Sequence, residues 1–597
     1  MKKDTTDKWD LSPIYSSIDD PKIENDLKKA VADAAAFSRA YKGKIAVGPD
    51  VSTLAAALRD YEELQRLALV PYHYAYLLFA GNSEDESHKA LLARAREILT
   101  AVTEETLFFE LELLQLDDET FNRLLADDDV APYRHYLDNI RANAPYALAE
   151  EVEQVIKRKD LSGKEAFVSL FDEATSSFRF RFRMPGEEET REVAGEELLS
   201  LLYHTDRSVR EEAFSTFLNK HAENSTVLVN CFNNILLDHG REAELRNYPD
   251  LMTPTHLGSE TEPQMVEQMM QVTEENYGLA QRYFRLKKRL LGYDRLKNSD
   301  LYAPINANPR TFEYDEAKEL VQQSFAAFSP ELADRAAAIM NDGYTDVYPR
   351  PGKSGGAFCM GILPEWSPYV MLNFTGNLRD VSTLAHELGH AVHYSLSGRQ
   401  NLFHYHAPLP MAETASVFGE MLLTRMLLEK ESDRQLKIAL LCSKIEDIIA
   451  TTFRQNVLTR FELAAHRMRG ERLLSADDYC QLWWQENAKL FGDDVEMIEP
   501  YRWGWSYISH FIHARFYCYS YVFGELLVLA LYQKYLLEGE AFKQKYLELL
   551  ASGGSDRPQT LLEPLGIDLG DANFWQSGYD FVESMLSNLE ELIAAEG

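Results

Sequence analysis

Apolar residues recur at three- and four-residue spacing through "LAAALRDYEELQRLALV" (54–70), "ALLARAREILTAVTEETLFFELELLQL" (90–116) and "PQMVEQMMQVTEENYGLAQRYFRLKKRLL" (263–291). Residues with that period share one face of an α-helix, and a helix buries such a stripe against other helices, so the chain is predicted to be mainly α. With 597 residues it exceeds what one hydrophobic core normally serves, so two or more lobes are expected. Strand signals are few. "SFRFRFRM" (177–184) alternates with period two and predicts a hairpin strand whose turn is "PGEE". The stretch 348–377, rich in Gly, Pro and aromatics, predicts short strands at 356–360 and 369–374. No repeat of fixed period argues for a solenoid. A boundary near residue 200 divides the chain into an N-terminal helical region, 1–200, and a larger region, 201–597.

Composition excludes several function classes. A formal net charge of −34 with no long basic stripe opposes a phosphate backbone, so no nucleic-acid partner is expected. Cys231, Cys359, Cys442, Cys480 and Cys518 are far apart, with no CxxC spacing, which suits a reducing compartment and neither a disulfide framework nor a thiolate metal site. The first residues, "MKKDTTDKWD", show no apolar export segment, and no run of 18 uncharged apolar residues follows. No membrane partner is expected, and the reading predicts a cytoplasmic protein. Gly352-Lys353-Ser354 mimics the end of a phosphate-binding loop. The glycine that such a loop needs five residues earlier is Val347, however, and Pro349 and Pro351 remove donors from the cradle.

The chemistry concentrates in "TLAHELGHAVHYSLSG" (383–398). His386 and His390 are four residues apart, which stacks their imidazoles on one helix face within reach of a single ion, and zinc suits two such nitrogens. Glu387, rotated by about 100° from His386, misses the ion and faces water beside it as a general base. Asp380 stands where an anion favours a helix start. Gly389 costs a helix interior about 1 kcal/mol relative to Ala, so close backbone approach is expected there. His393 lies about 10.5 Å along the axis from His386, too far to share the ion easily, and is read as supporting the site or facing substrate.

A catalytic zinc site of this kind takes a third protein ligand. After Pro408 and Pro410 a second helix, "ETASVFGEMLLTRMLLEK", offers Glu413 in its first turn and Glu420 two turns later on the same face. His404 and His406 in the intervening loop are alternatives.

"LAHELGHAVH" followed by "MAETASVFGE" resembles the M3 family of zinc oligopeptidases, of the oligoendopeptidase F type. "WDLSPIY" (9–15), "LKKRLLG" with "DLYAPI" (286–305), and "GKSGGAFC" with "PYVMLNF" are similar to other segments of that family, so the resemblance runs along most of the chain, weakly over 20–130. It implies that Glu413 is the third ligand and that the fold is a mainly α, two-lobed helical metallopeptidase with a deep substrate channel and a small β segment near the zinc helix. Residues 1–200 would form part of the channel wall and 201–597 the catalytic region. One Zn²⁺ per chain and short oligopeptide substrates are implied. Endopeptidase action is the expected activity, with a dipeptidyl carboxypeptidase or a non-catalytic peptide binder as alternatives.

The family's late aromatic segment is matched by "WSYISHFIHARFYCYSYVFGE" (505–525), where the resemblance points to His510 and Tyr519 as oxyanion donors. Tyr521 is the rival in register, Tyr517 a further neighbour, and His513 an alternative to His510. Gly355, Gly356 and Ala357 are read as presenting backbone groups to an extended peptide.

Overall fold

The computed structural model describes residues 7–305 and 310–594. The chain is mainly helical. It divides into two compact units: Met1–Pro145, Pro309–Glu429 and Lys534–Ile567 form the first, and Tyr146–Asn308, Lys430–Gln533 and Asp568–Gly597 form the second. Each unit is assembled from three separate segments, so the expected boundary near residue 200 falls inside the second unit rather than between the two.

In the first unit, α1 (Pro21–Tyr41), α2 (Val51–Gly81) and α3 (Glu86–Leu114) take up the periodic N-terminal sequence. Each begins at an aspartate whose carboxylate accepts a backbone N–H left over at the helix start: Asp20 from Lys22, Asp50 from Thr53 and Asp85 from Ser87. Their apolar stripes meet in one core, where the Phe37 ring lies 5.3 Å from Phe109 and 5.6 Å from Tyr61. That core continues into Ile362, Leu363, Tyr369 and Leu402, which flank the histidine-rich helix in sequence. "WDLSPIY" joins it too. Trp9 packs on Phe358 and Tyr369, while Ile14 and Tyr15 are buried.

Seven short strands are described. The hairpin of β1 (Phe180–Phe182) and β2 (Arg191–Val193) in the second unit agrees with the alternation seen in sequence, with Phe180 opposite Val193. Also in that unit, β3 (Leu296–Lys297) runs parallel to β7 (Val495–Glu496). In the first unit β4 (Thr345–Asp346), β5 (Phe358–Met360) and β6 (Tyr369–Met371) form a sheet of order β4-β6-β5, so β5 is an edge strand. Both strands expected in 348–377 are present. Lys353, the lysine of the apparent phosphate loop, has a fully buried side chain whose ammonium lies 2.7 Å from Asp346, so it neutralises a buried carboxylate.

The periodic stretch 263–291 is two helices rather than one, Pro263–Glu275 and Tyr277–Leu290. Asn276 separates them: its side-chain amide donates to the Val272 carbonyl and to Gln576, the local side-chain bonding by which Asn competes with helix continuation. No single helix among the described residues is long and apolar enough to cross a membrane. The bent pair Glu499–His513 and Cys518–Glu538, turned by 86°, passes that test by length and composition. Its Leu526, Leu527, Val528 and Leu529 are fully buried, as in a core helix.

Candidate active site

The histidine helix spans Leu378–Ser397. Its start is a reciprocal cap: Asn377 accepts the Asp380 N–H at 3.0 Å, while Asp380 Oδ2 accepts the N–H groups of Thr375 at 2.6 Å and Gly376 at 2.9 Å. Asp380 is therefore the third helical position of the cap and Asn377 the cap itself. The glutamate-bearing helix, Thr414–Lys430, begins one residue after Glu413. Glu413 thus occupies the capping position, where its carbonyl accepts from Val417, rather than the first turn expected from sequence.

Two glycines let these helices touch. A Cβ at Gly389 would lie 2.4 Å from the Ala415 carbonyl oxygen and 2.5 Å from Ser416 Cα. One at Gly419 would lie 3.1 Å from the Ala385 carbonyl oxygen. The helix cost of Gly389 is thus offset by a backbone approach that brings Glu413 and Glu420 to the histidines.

His386 Nε2 lies 3.3 Å and His390 Nε2 3.4 Å from Glu413 Oε2. Among the described residues these three form the one cluster with metal-ligand geometry. Donors bound at about 2.0–2.1 Å to a tetrahedral ion stand about 3.3–3.4 Å apart, and two imidazoles with one carboxylate are a donor set for catalytic zinc. The residues therefore fit the ion. Glu420 Oε1, 2.6 Å from His386 Nδ1, accepts its proton and turns the Nε2 lone pair toward Glu413. Ser416 Oγ donates to Glu413 Oε2 at 2.6 Å, a contact for which the sequence carried no signal.

The electrostatics favour a cation at this point. Burial alone would lower the His386 pKa, but the hydrogen bond to Glu420 and the charges of Glu420, Glu413 and Glu387 lift it to about 9. Burial likewise opposes ionisation of Glu413, yet the His390 hydrogen bond and both imidazoles hold it down at about 2. Glu387 is 6% exposed, and burial pushes its carboxyl up.

A cavity of about 380 Å³ opens beside the cluster, with His386, Glu387, His390, His393, Ala357 and Cys359 among its lining. His393 is buried and kept neutral, its pKa lowered to about 3 mainly by burial. His406 also lines the cavity. His404 is engaged elsewhere, with Nε2 accepting the Tyr136 N–H at 3.3 Å. Gly355 and Gly356 do not line the cavity; they lead the chain into edge strand β5, Gly356 at φ 77°, where the Asn373 amide donates to the Gly356 carbonyl at 2.7 Å.

The aromatic segment belongs to the second unit. His510 Nε2 and the Tyr521 hydroxyl are 3.1 Å apart, and the Tyr517 ring stacks on His510 at 5.7 Å. All three are partly exposed. His510 has its pKa lowered by burial and by the charges of Arg454 and His513. His513 pairs instead with Asp172 at 2.9 Å. Tyr519, the donor expected from resemblance, is fully buried, and its hydroxyl lies 3.3 Å from both His256 Nδ1 and Thr261 Oγ1. Helical geometry explains the difference, because residues two apart point to different sides of the helix that begins at Cys518.

Sequence reasoning missed Glu462. It is 2% exposed and accepts the N–H of Phe516, a non-glycine residue at φ 58°, at 2.9 Å, so it pins the strained turn between His510 and Tyr521. No motif marks it. Burial pushes its pKa up to about 8 against the Phe516 N–H and the Arg515 charge. The folded protein then keeps a proton that the unfolded chain releases near pH 4.3, so this carboxyl's contribution to stability falls as pH rises from about 4.3 to 8. Glu462→Gln, always neutral, is expected to match wild type in chemical denaturation at pH 4.5. At higher pH the gap should widen in favour of the variant by about 1 kcal/mol per pH unit. A gap that stays constant across that range would show that Glu462 ionises normally.

The family model described as Peptidase family M3 matches residues 200–581, and one described as Oligopeptidase F matches 112–180. The chain belongs to peptidase family M3. Membership makes this M3 protein a metallo-oligopeptidase, in keeping with the cluster geometry. It is 25% identical over 594 residues to Group B oligopeptidase PepB of Streptococcus agalactiae, covering 98% of this chain and 97% of the relative. Oligopeptidase PepF of Bacillus subtilis is 24% identical over 593 residues, covering 98% and 87%. Among solved structures, oligoendopeptidase-F from Enterococcus faecium superposes with a TM-score of 0.72 at 25% identity, covering 96% of this chain and 98% of that one. A candidate peptidase from Chlamydophila abortus shares the fold with a TM-score of 0.87 at 24% identity, covering 99% of each chain.

Proposed function

We propose that this M3 peptidase is a cytoplasmic zinc endopeptidase cutting internal bonds of short unstructured peptides, with His386, His390 and Glu413 holding one zinc ion. The observation that carries the reading is the convergence of His386 Nε2 and His390 Nε2 on Glu413 Oε2, with Glu387 in the adjoining cavity. Zinc, when bound, supplies a Lewis acid that acidifies water and polarises the scissile carbonyl. Glu387 takes the proton of the attacking water and returns it to the leaving amine, and a buried carboxylate with a raised pKa suits both transfers. Glu420 holds the His386 ring in its ligand tautomer. Edge strand β5, with Ala357 just before it on the cavity wall, offers unpaired backbone groups to an extended peptide, and His393 faces the same space.

His510 and Tyr521 are proposed as donors to the developing oxyanion. Their support is their own chemistry: a partly exposed imidazole–phenol pair with Tyr517 stacked against it. The role expected of Tyr519 passes to Tyr521, since the Tyr519 hydroxyl is engaged in the core.

Metal analysis with mass spectrometry of a digested peptide library tests the reading. One zinc per chain and cuts at internal bonds are expected. Dipeptides released from C-termini would make it a dipeptidyl carboxypeptidase, and a zinc-loaded protein without cleavage would make it a peptide binder. The ligand assignment has its own test. Glu413→Ala should lose zinc on dialysis against a mild chelator, Glu420→Ala should bind zinc about 10- to 100-fold more weakly, and His404→Ala should bind it normally. Zinc retained by Glu413→Ala and lost by His404→Ala would reverse the assignment.

A further inference from the structure

The cavity beside the metal cluster extends past the reacting groups. His386, His390, His393 and Ser397 are spaced by four, three and four residues, so they share one face of the histidine helix, and all four line the cavity. His393 stands about 4.5 Å further along the axis than His390, within reach of a long side chain on a residue that flanks the cleaved bond. Around it the walls are aromatic, formed by Phe358, Tyr394 and Tyr405, with the Tyr394 and Tyr405 rings 5.4 Å apart. Past the catalytic groups, no lysine, arginine or carboxylate lines the space among the described residues. His393 is the polar feature of this region. It is 8% exposed, and its ring makes no hydrogen bond among the described residues. Burial keeps it neutral, so it presents one N–H donor and one bare acceptor nitrogen. The proposed reaction uses neither.

We propose that His393 sets the cleavage preference of this peptidase by receiving the hydroxyl of a tyrosine beside the cleaved bond, the ring lying between Phe358, Tyr394 and Tyr405. The inference rests on the endopeptidase reading and gives it a substrate class. Size permits it, since a cavity of about 150 Å³ already takes a benzene ring and this one measures about 380 Å³. The aromatic walls suit a ring. At its tip the choice is made by His393: a phenol hydroxyl both donates and accepts, whereas the edge of a phenylalanine would leave the imidazole nitrogens unpaired. A lysine or glutamate side chain would lose its hydration without meeting an opposite charge past the catalytic groups. Alanine would leave the aromatic walls without a partner.

Steady-state kcat/KM on the full-length zinc-loaded protein tests this, with end-blocked peptides of one sequence in which each residue flanking the cleaved bond is in turn Tyr, Phe, Ala, Lys or Glu. Mass spectrometry identifies the bond cut. At one of the two positions Tyr should be favoured over Phe by at least about tenfold, Phe over Ala, and Lys and Glu should be cut slowest. His393→Phe, similar in size but without ring nitrogens, should bring the Tyr-to-Phe ratio to about one while the protein still holds one zinc per chain. His393→Leu takes its place if that variant does not fold, and the wild-type ratios need no variant. Equal rates for Tyr and Phe at both positions, a charged residue favoured over Tyr at the position that discriminates, or a Tyr preference unchanged in a folded His393 variant would overturn the proposal while the endopeptidase reading stands. No cleavage of any peptide would overturn both.

Discussion

Glu387→Gln is expected to retain one zinc per chain and to lose a factor of about 10² to 10⁴ in kcat, the usual worth of a general base. Glutamine keeps the shape of the side chain but cannot take a proton from water. The proposed ligands His386 and His390 lie on neighbouring positions, and their contacts with Glu413 and Glu420 do not involve the Glu387 carboxylate. Its burial sharpens the expectation. At 6% exposure the carboxyl has little bulk water to exchange protons with, so a substitute base is not at hand. KM should change little, because the base acts on water rather than on the bound peptide. Metal content and steady-state rates measured on the same preparation check this. Activity within about tenfold of wild type, with zinc bound, would remove Glu387 from the role.

The histidine helix was legible from sequence because its chemistry and geometry are both local. His386 and His390 share a face by helical period alone, and the Gly389 penalty foretold the contact that the Ala415 carbonyl makes. The short strands around 358 and 370 and the hairpin at 180 were legible for the same reason. The division into units was not, because each unit joins segments hundreds of residues apart, and no composition shift marks where the chain passes from one to the other. The Ser416 contact with Glu413 and the Glu462 contact with Phe516 were equally hidden, each being set by packing around a single side chain. The break at Asn276 lay between: the residue type signals it, but the apolar period runs through it.

Tyr521→Phe is expected to lower kcat by about 10²- to 10³-fold with little change in KM, while Tyr519→Phe leaves kcat nearly intact. The two tyrosines differ by two residues on one helix, which places one hydroxyl beside His510 and the other in the core. An oxyanion donor strengthens its bond as charge develops on the carbonyl oxygen, so its loss is felt in the transition state rather than in the bound peptide. Removing the Tyr519 hydroxyl instead leaves the buried His256 Nδ1 and Thr261 Oγ1 with their own longer 3.5 Å contact, at a cost of about 1–3 kcal/mol in stability. Each variant therefore carries a signature that the other lacks: a rate loss at constant melting temperature for Tyr521, and a lowered melting temperature at constant rate for Tyr519. Tyr517→Phe completes the series, and because its ring stacks on His510, a modest rise in KM is expected. A crippled Tyr519→Phe beside a normal Tyr521→Phe would return the donor role to position 519 and require the buried hydroxyl to leave His256 during turnover. Three normal variants would leave charge stabilisation to His510 and the metal.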